Sequence, residues 1–125
     1  MNDKTMNDTS KNDTSTANDA QSVEASMQEQ IKQTVTENDI VLFMKGNANF
    51  PQCGFSGKAI QILQALEADF VTVDVLSNDE VRQGIKTYSN WPTIPQLYVK
   101  GEFLGGSDIM LEMYESGELK QSIAS

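Results

Sequence analysis

The sequence of 125 residues predicts one α/β domain, a four-stranded mixed sheet flanked by helices. Three observations carry that expectation. Helical and strand periods alternate over residues 23–76, as a βαβ unit requires. Ile40–Met44 is an unbroken apolar run, the pattern of a strand covered on both faces. Beyond Pro92 and Pro95, the stretch QLYVKGEFLGG followed by SDIMLEMYESGEL predicts a hairpin and a helix, a ββα unit that completes the sheet.

The elements follow in order. Residues 23–36 place Met27, Ile31 and Val35 four apart, one side of an amphipathic helix. The strand Ile40–Met44 ends at Lys45 and Gly46. NANFPQCGFSG has the composition of a loop, and residues 58–68 then carry a helical stripe of Ala59, Ile60, Ile62, Leu63 and Leu66. The β-branched run 70–76 predicts a second strand, and 78–89 a polar helix with Val81 and Ile85 on one side. Pro92 and Pro95 interrupt regular structure. Strands 97–99 and 102–104 flank a turn at Lys100 and Gly101, and two glycines close the hairpin. Ser107 is available to cap a helix over 107–119 that packs through Ile109, Met110, Met113 and Tyr114; a short last helix spans 118–123.

Residues 1–22 are dominated by Asn, Asp, Thr, Ser and Ala and hold too little apolar area to offset the entropy of ordering, so they are expected to form a disordered tail before a domain over 23–125. They contain no apolar signal core, and four aspartates against two lysines is the wrong balance for a transit peptide. A single cysteine excludes an internal disulfide and suits a reducing compartment; the expected location is cytoplasmic, with no membrane span. The formal charge of −9 argues against a nucleic-acid surface. Lys45, Lys58, Arg82 and Lys86 nevertheless surround the cysteine segment in sequence, either as a small-anion pocket or as a solvated face.

Cys53 stands in the order C-G-F-S, with Ser56 where a dithiol protein has its second cysteine. Thiol chemistry here must therefore be completed by a sulfur from elsewhere. A thiolate where a loop enters a helix meets free backbone N–H groups and the positive end of the helix dipole, which lower its pKa. The alternative is an inert cysteine packed like a small hydrophobe. Flanking Pro51 and Gly54 make complete burial difficult and favour the reactive reading.

Cys53-Gly54-Phe55-Ser56, preceded by VLFMKG and followed by Trp91-Pro92-Thr93-Ile94-Pro95-Gln96 and Gly105-Gly106-Ser107-Asp108, resembles the monothiol glutaredoxins of the single-domain CGFS class. The resemblance covers residues 23–123. It implies a thioredoxin fold, with glutathione as the missing thiol. It also implies that Cys53 is the catalytic thiol and ligates a [2Fe–2S] cluster shared with a second subunit, two glutathione thiols completing the iron ligands. One cysteine and no histidine agree with a chain that cannot hold such a cluster alone.

By the same resemblance Lys45 and Arg82, with Lys86 as a further candidate, pair with the glycine carboxylate of glutathione. Thr93, Ile94 and a cis Pro95 offer backbone to the tripeptide. Gly106, Ser107 and Asp108 clamp its γ-glutamyl end, Ser107 through its backbone, where many relatives have a cysteine. Asp108 would equally favour a helix dipole from the first turn, Trp91 is read as structural, and Phe55 as either a shield for the sulfur or packing.

The expected function is a carrier that transfers the cluster to apo-proteins in iron–sulfur assembly and iron homeostasis, working as a homodimer or with a BolA-like partner that supplies a histidine. The alternative is a glutathione-dependent thiol-disulfide oxidoreductase with Cys53 as nucleophile. The family leans against high activity of that kind.

Overall fold

The computed structural model describes residues 16–124, with side chains from Glu24 onward. Helix α1 (Thr16–Glu37) leads into strand β1 (Ile40–Met44), helix α2 (Gly54–Ala65), strand β2 (Val71–Asp74) and helix α3 (Asp79–Ser89). Strands β3 (Gln96–Val99) and β4 (Glu102–Gly105) then form the hairpin, followed by helices α4 (Ser107–Ser116) and α5 (Glu118–Ala124). The sheet order is β2-β1-β3-β4. β1 runs parallel to β2, with Val41 opposite Val71, and antiparallel to β3, with Leu42 opposite Leu97.

The apolar run of β1 is explained by its central place. Ile40, Leu42 and Met44 face a layer containing Ala59, Ile60 and Leu63 of α2, Met110 of α4 and Leu119 of α5. Val41 and Phe43 point the other way, into Met27, Ile31 and Val35 of α1 and Ile85 of α3. Each of the larger side chains contributes roughly 1.5–3 kcal/mol by leaving water. The mixed sheet with helices on both faces is the architecture the sequence predicts.

Several boundaries differ from expectation. α1 begins at Thr16, upstream of the predicted 23, so the last residues assigned to the tail are helical; the rest of it, residues 1–15, lies outside the described residues. Extending an existing helix adds one hydrogen bond per residue fixed, so polar residues flanked by alanines can join it. α2 starts at Gly54 rather than at 58. Cys53 is its N-cap, extended at φ −152° and ψ 138°, and the Cys53 carbonyl accepts from the Gly57 N–H at 2.9 Å. Two glycines and a serine in that first turn disguise it as loop.

α2 also ends sooner than 68: Glu67 turns left-handed at φ 55°, and the Ala68 N–H returns to the Leu63 carbonyl. β2 is shorter than 70–76, because the Asp74 carboxylate takes the Leu76 N–H at 2.8 Å and turns the chain away. Gly106, not Ser107, is the N-cap of α4, and Gly117, at φ 88°, separates α4 from α5 where the sequence suggests overlapping helices.

Candidate functional site

Cys53 is placed by a loop folded tightly on the end of β1. Gly46 has φ +88°, and a Cβ there would come within 2.5 Å of the Phe50 carbonyl oxygen. Its N–H donates to the Asp74 carboxylate at 2.9 Å, while the Gln52 N–H donates to the Lys45 carbonyl at 2.9 Å. The Asn47 side-chain carbonyl accepts from the N–H groups of Asn49 and Phe50 at 3.0 and 2.9 Å, closing the turn between them. Ser56 is fully buried, and its hydroxyl accepts the Lys45 N–H at 3.1 Å. These bonds fix the first turn of α2 against the sheet.

The Cys53 thiol is partly exposed and its pKa is lowered. The Ser56 backbone N–H is the largest cause, and partial burial opposes it; the Phe55 N–H, the Lys45 charge and the Ser56 hydroxyl add smaller favourable contributions. Its place at a helix N-terminus thus favours the thiolate form. A Cβ added at Gly54 would meet nothing within 4 Å, so approach to the sulfur past this residue is open.

The residues that the sequence nominates on separate segments meet here. A cleft of about 520 Å³ is lined by Cys53, Lys45 from the end of β1, and Arg82 and Lys86 from α3. Thr93, Ile94 and Pro95 form another wall, with a cis bond between Ile94 and Pro95, and Gly106, Ser107 and Asp108 bring in the start of α4. Lys58 lies apart from them, in a shallow groove with Gln52, Gly54 and Gln61 that also touches Cys53.

Two features give the cleft polarity. Lys45, Arg82 and Lys86 gather three cations on a chain of formal charge −9, and the Arg82 Nε is buried without a hydrogen-bond partner. At α4, Gly106 is an extended N-cap with no side-chain hydrogen bond to the helix, and Asp108 lies in the first turn. Free N–H groups and the helix dipole make such a terminus receptive to a carboxylate. A Cβ on Gly106 would stand 3.2 Å from the Pro95 carbonyl oxygen, so α4 abuts the cis-proline loop closely.

Sequence reasoning missed part of the lining. Trp91, read as structural, faces the cleft while half exposed, with its ring 6.3 Å from Phe103, and Pro92 and Ile109 are further lining the sequence did not single out for the site; Phe55, read as a shield or as packing, completes the rim. The exposed bulk of Phe55 rules out simple core packing. Asp74, which carries no motif signal, and Gln96, which closes the Trp91 to Gln96 motif without a role assigned there, support the site from behind: Gln96 is fully buried and donates to the carbonyls of Trp91 and Thr93. Among the described residues no group of three or more His, Cys, Asp or Glu could hold a metal ion. One subunit offers a soft metal a single good ligand, Cys53.

A glutaredoxin family model matches residues 40–104, more than half of the chain. An uncharacterised monothiol glutaredoxin of Synechocystis is 58% identical over 94 residues, covering 75% of this chain and 88% of that protein. Glutaredoxin 4 of Escherichia coli is 50% identical over 95 residues, covering 76% and 83%. The solution structure of reduced apo GrxS14 from poplar aligns with a TM-score of 0.72 at 47% identity, covering 83% of this chain and 99% of that one. A buckwheat glutaredoxin solved as a glutathione complex shares the fold, with a TM-score of 0.74 at 20% identity over 82% of this chain and 92% of its own. With one cysteine in C-G-F-S at the head of α2 and relatives of this kind along most of its length, the chain belongs to the glutaredoxin family, among its monothiol members, and has the thioredoxin fold they share.

Proposed function

We propose that the cleft binds glutathione against Cys53, and that two subunits so loaded carry a [2Fe–2S] cluster as cargo to apo-proteins in iron–sulfur assembly and iron homeostasis. The carrying observation is that Cys53 shares one cleft with Lys45, Arg82, Lys86 and the uncapped start of α4. Glutathione has two carboxylates, one ammonium and a thiol. The three cations suit its glycine carboxylate, and the unpartnered Arg82 Nε is a buried donor suited to such an acceptor. The Thr93 to Pro95 backbone suits the peptide, the Gly106 and Ser107 N–H groups the other carboxylate, and Asp108 the ammonium.

Ligand number sets the assembly. Fe–S clusters of this size take four soft ligands, and this chain supplies one. Two subunits and two glutathione thiols supply four, and a BolA-like partner with a histidine would replace one subunit's contribution. Transfer is then ligand exchange, which suits a low-pKa thiolate at an accessible cleft. A free thiol that must stay reduced suits the cytoplasm. Among the described residues no helix is long and apolar enough to cross a membrane.

The lowered pKa of partly exposed Cys53 also favours a second reading, glutathione-dependent thiol-disulfide exchange. The Cys53 thiolate would attack the glutathionyl sulfur of a modified protein, whose thiolate leaves and takes a proton. A second glutathione thiolate then attacks the same glutathionyl sulfur, returning the Cys53 thiolate and forming glutathione disulfide.

Anaerobic reconstitution with iron, sulfide and glutathione, followed by absorbance, iron and sulfide content and mass in solution, separates the two. The carrier reading expects two irons and two sulfides per dimer, dependent on glutathione. A colourless monomer that rapidly reduces a glutathione mixed disulfide would replace it with the oxidoreductase.

A further inference from the structure

The wall of the cleft formed by residues 91–95 lies between α3 and β3 and has little regular hydrogen bonding of its own. Gln96, the first residue of β3, is fully buried beneath it. Its side-chain amide donates to the Trp91 carbonyl at 3.1 Å and the Thr93 carbonyl at 3.1 Å, using both N–H groups on one loop. Both partners are acceptors only, which fixes the orientation of the amide. Its carbonyl end accepts from the Tyr98 hydroxyl at 3.3 Å. Burial pushes the Tyr98 pKa up to about 12, so that hydroxyl remains a donor at any working pH.

A buried glutamine costs stability unless its amide is paired, and a leucine would fill the same layer without that demand. The polar side chain therefore has its reason in the loop. Trp91 is held a second time, its N–H donating to the Lys86 carbonyl at 3.2 Å and to the Ser89 hydroxyl at 3.1 Å. Lys86 is itself in the cleft lining. Cation, aromatic rim and cis-proline loop are thus linked by hydrogen bonds that meet at the Trp91 main chain, the link to the loop running through the Gln96 side chain.

We infer that Gln96 is a positioning residue for the cleft: its amide, anchored by Tyr98, sets the height of the Trp91 to Pro95 backbone and thereby the affinity for the bound tripeptide. This rests on the glutathione reading above. Gln96 lies behind the wall and acts through the loop.

The test compares the full-length parent with Gln96→Leu, Gln96→Glu and a remote core control, Leu119→Ala in α5. Gln96→Glu keeps the shape and the acceptor for Tyr98 but turns an oxygen toward two carbonyls, so it reports on the donors if Gln96→Leu does not fold. Glutathione titrations followed by Trp91 fluorescence should show affinity lower by roughly tenfold in the Gln96 variants, the loss of about one net hydrogen bond. Alkylation of Cys53 by iodoacetamide without glutathione should proceed at the parental rate. Amide exchange at Thr93 and Ile94, also without glutathione, should accelerate in the Gln96 variants and not in Leu119→Ala of comparable melting temperature.

Parental affinity together with parental exchange at residues 93 and 94 in Gln96→Glu would overturn the inference. So would an equal affinity loss in Leu119→Ala, since general destabilisation would then suffice. If the parent binds no glutathione, the functional reading fails on its own, and the exchange comparison still decides whether Gln96 holds the loop.

Discussion

The Lys45 N–H donates to the Ser56 hydroxyl across 3.1 Å, joining the end of β1 to the first turn of α2. The position that holds a second thiol in a dithiol site is here a buried structural acceptor. Ser56→Ala leaves that N–H without its partner, at a cost of about 1–3 kcal/mol in unfolding free energy. Iron content after reconstitution should stay near the parental value, because a neutral hydroxyl is a poor iron ligand beside a thiolate. Loss of both irons with fold and glutathione affinity intact would show that Ser56 ligates.

The lowered pKa of Cys53 gives a pH signature. Over the interval between its folded value and the ordinary 9.0, the folded state binds fewer protons than the unfolded chain. Stability from this group is therefore fully present above the unfolded value and is lost as pH falls through the folded one. Alkylation rate against pH should show a midpoint below 9.0 in the native protein. Lys45→Gln should raise that midpoint only slightly, since Lys45 is a lesser cause than the Ser56 N–H. A native midpoint at or above that of the unfolded chain would contradict the N-cap account.

Gly46 is the tightest point of the cysteine loop. At φ +88°, with a Cβ position 2.5 Å from the Phe50 oxygen and 2.7 Å from the Gln52 nitrogen, both backbone atoms, it has no room for a methyl group. Gly46→Ala should cost at least about 1–3 kcal/mol in chemical denaturation. It should also slow glutathione-dependent reactions of Cys53 by displacing the loop. Unchanged stability would mean that the loop relaxes freely and does not fix the cysteine.

What the sequence makes legible follows the range of each interaction. β1 is visible because burial on both faces leaves an apolar run, and the hairpin because Lys100 and Gly101 both take positive φ, 52° and 85°. The start of α2 is hidden because its cap is a cysteine and its first turn holds two glycines, none of them a helix signal. The convergence of Lys45, Arg82, Thr93 and Asp108 is visible only through family motifs, since no local period relates residues so far apart. Asp74 escapes both routes, reaching a backbone N–H 28 residues away; Gln96 stands inside a family motif, but its support of the loop shows only in its burial and its bonds to the Trp91 and Thr93 carbonyls. Trp91 looks structural in sequence because an aromatic near a strand usually is. The loop geometry turns it to the cleft.

Cys53 and Asp108 separate iron ligation from glutathione retention in the proposed arrangement. Cys53→Ser removes the one thiolate each subunit offers and should abolish stable cluster reconstitution at every glutathione concentration. Asp108 touches no iron in the proposed arrangement; in the first turn of α4 it borders the same cleft as Cys53 and suits an ammonium. A charged hydrogen bond of about 1.5–3 kcal/mol corresponds to roughly ten- to a hundred-fold in binding. Asp108→Ala should therefore need correspondingly more glutathione to reach the same cluster occupancy, and should lose the cluster faster when glutathione is diluted. At saturating glutathione its absorbance spectrum should match the parent, because the iron ligands are unchanged. The measurement is cluster retention at stepped glutathione concentrations, anaerobic and at fixed protein concentration. A parent that assembles the same two-iron cluster without glutathione or any substitute thiol would refute the ligand arithmetic even with Cys53 essential.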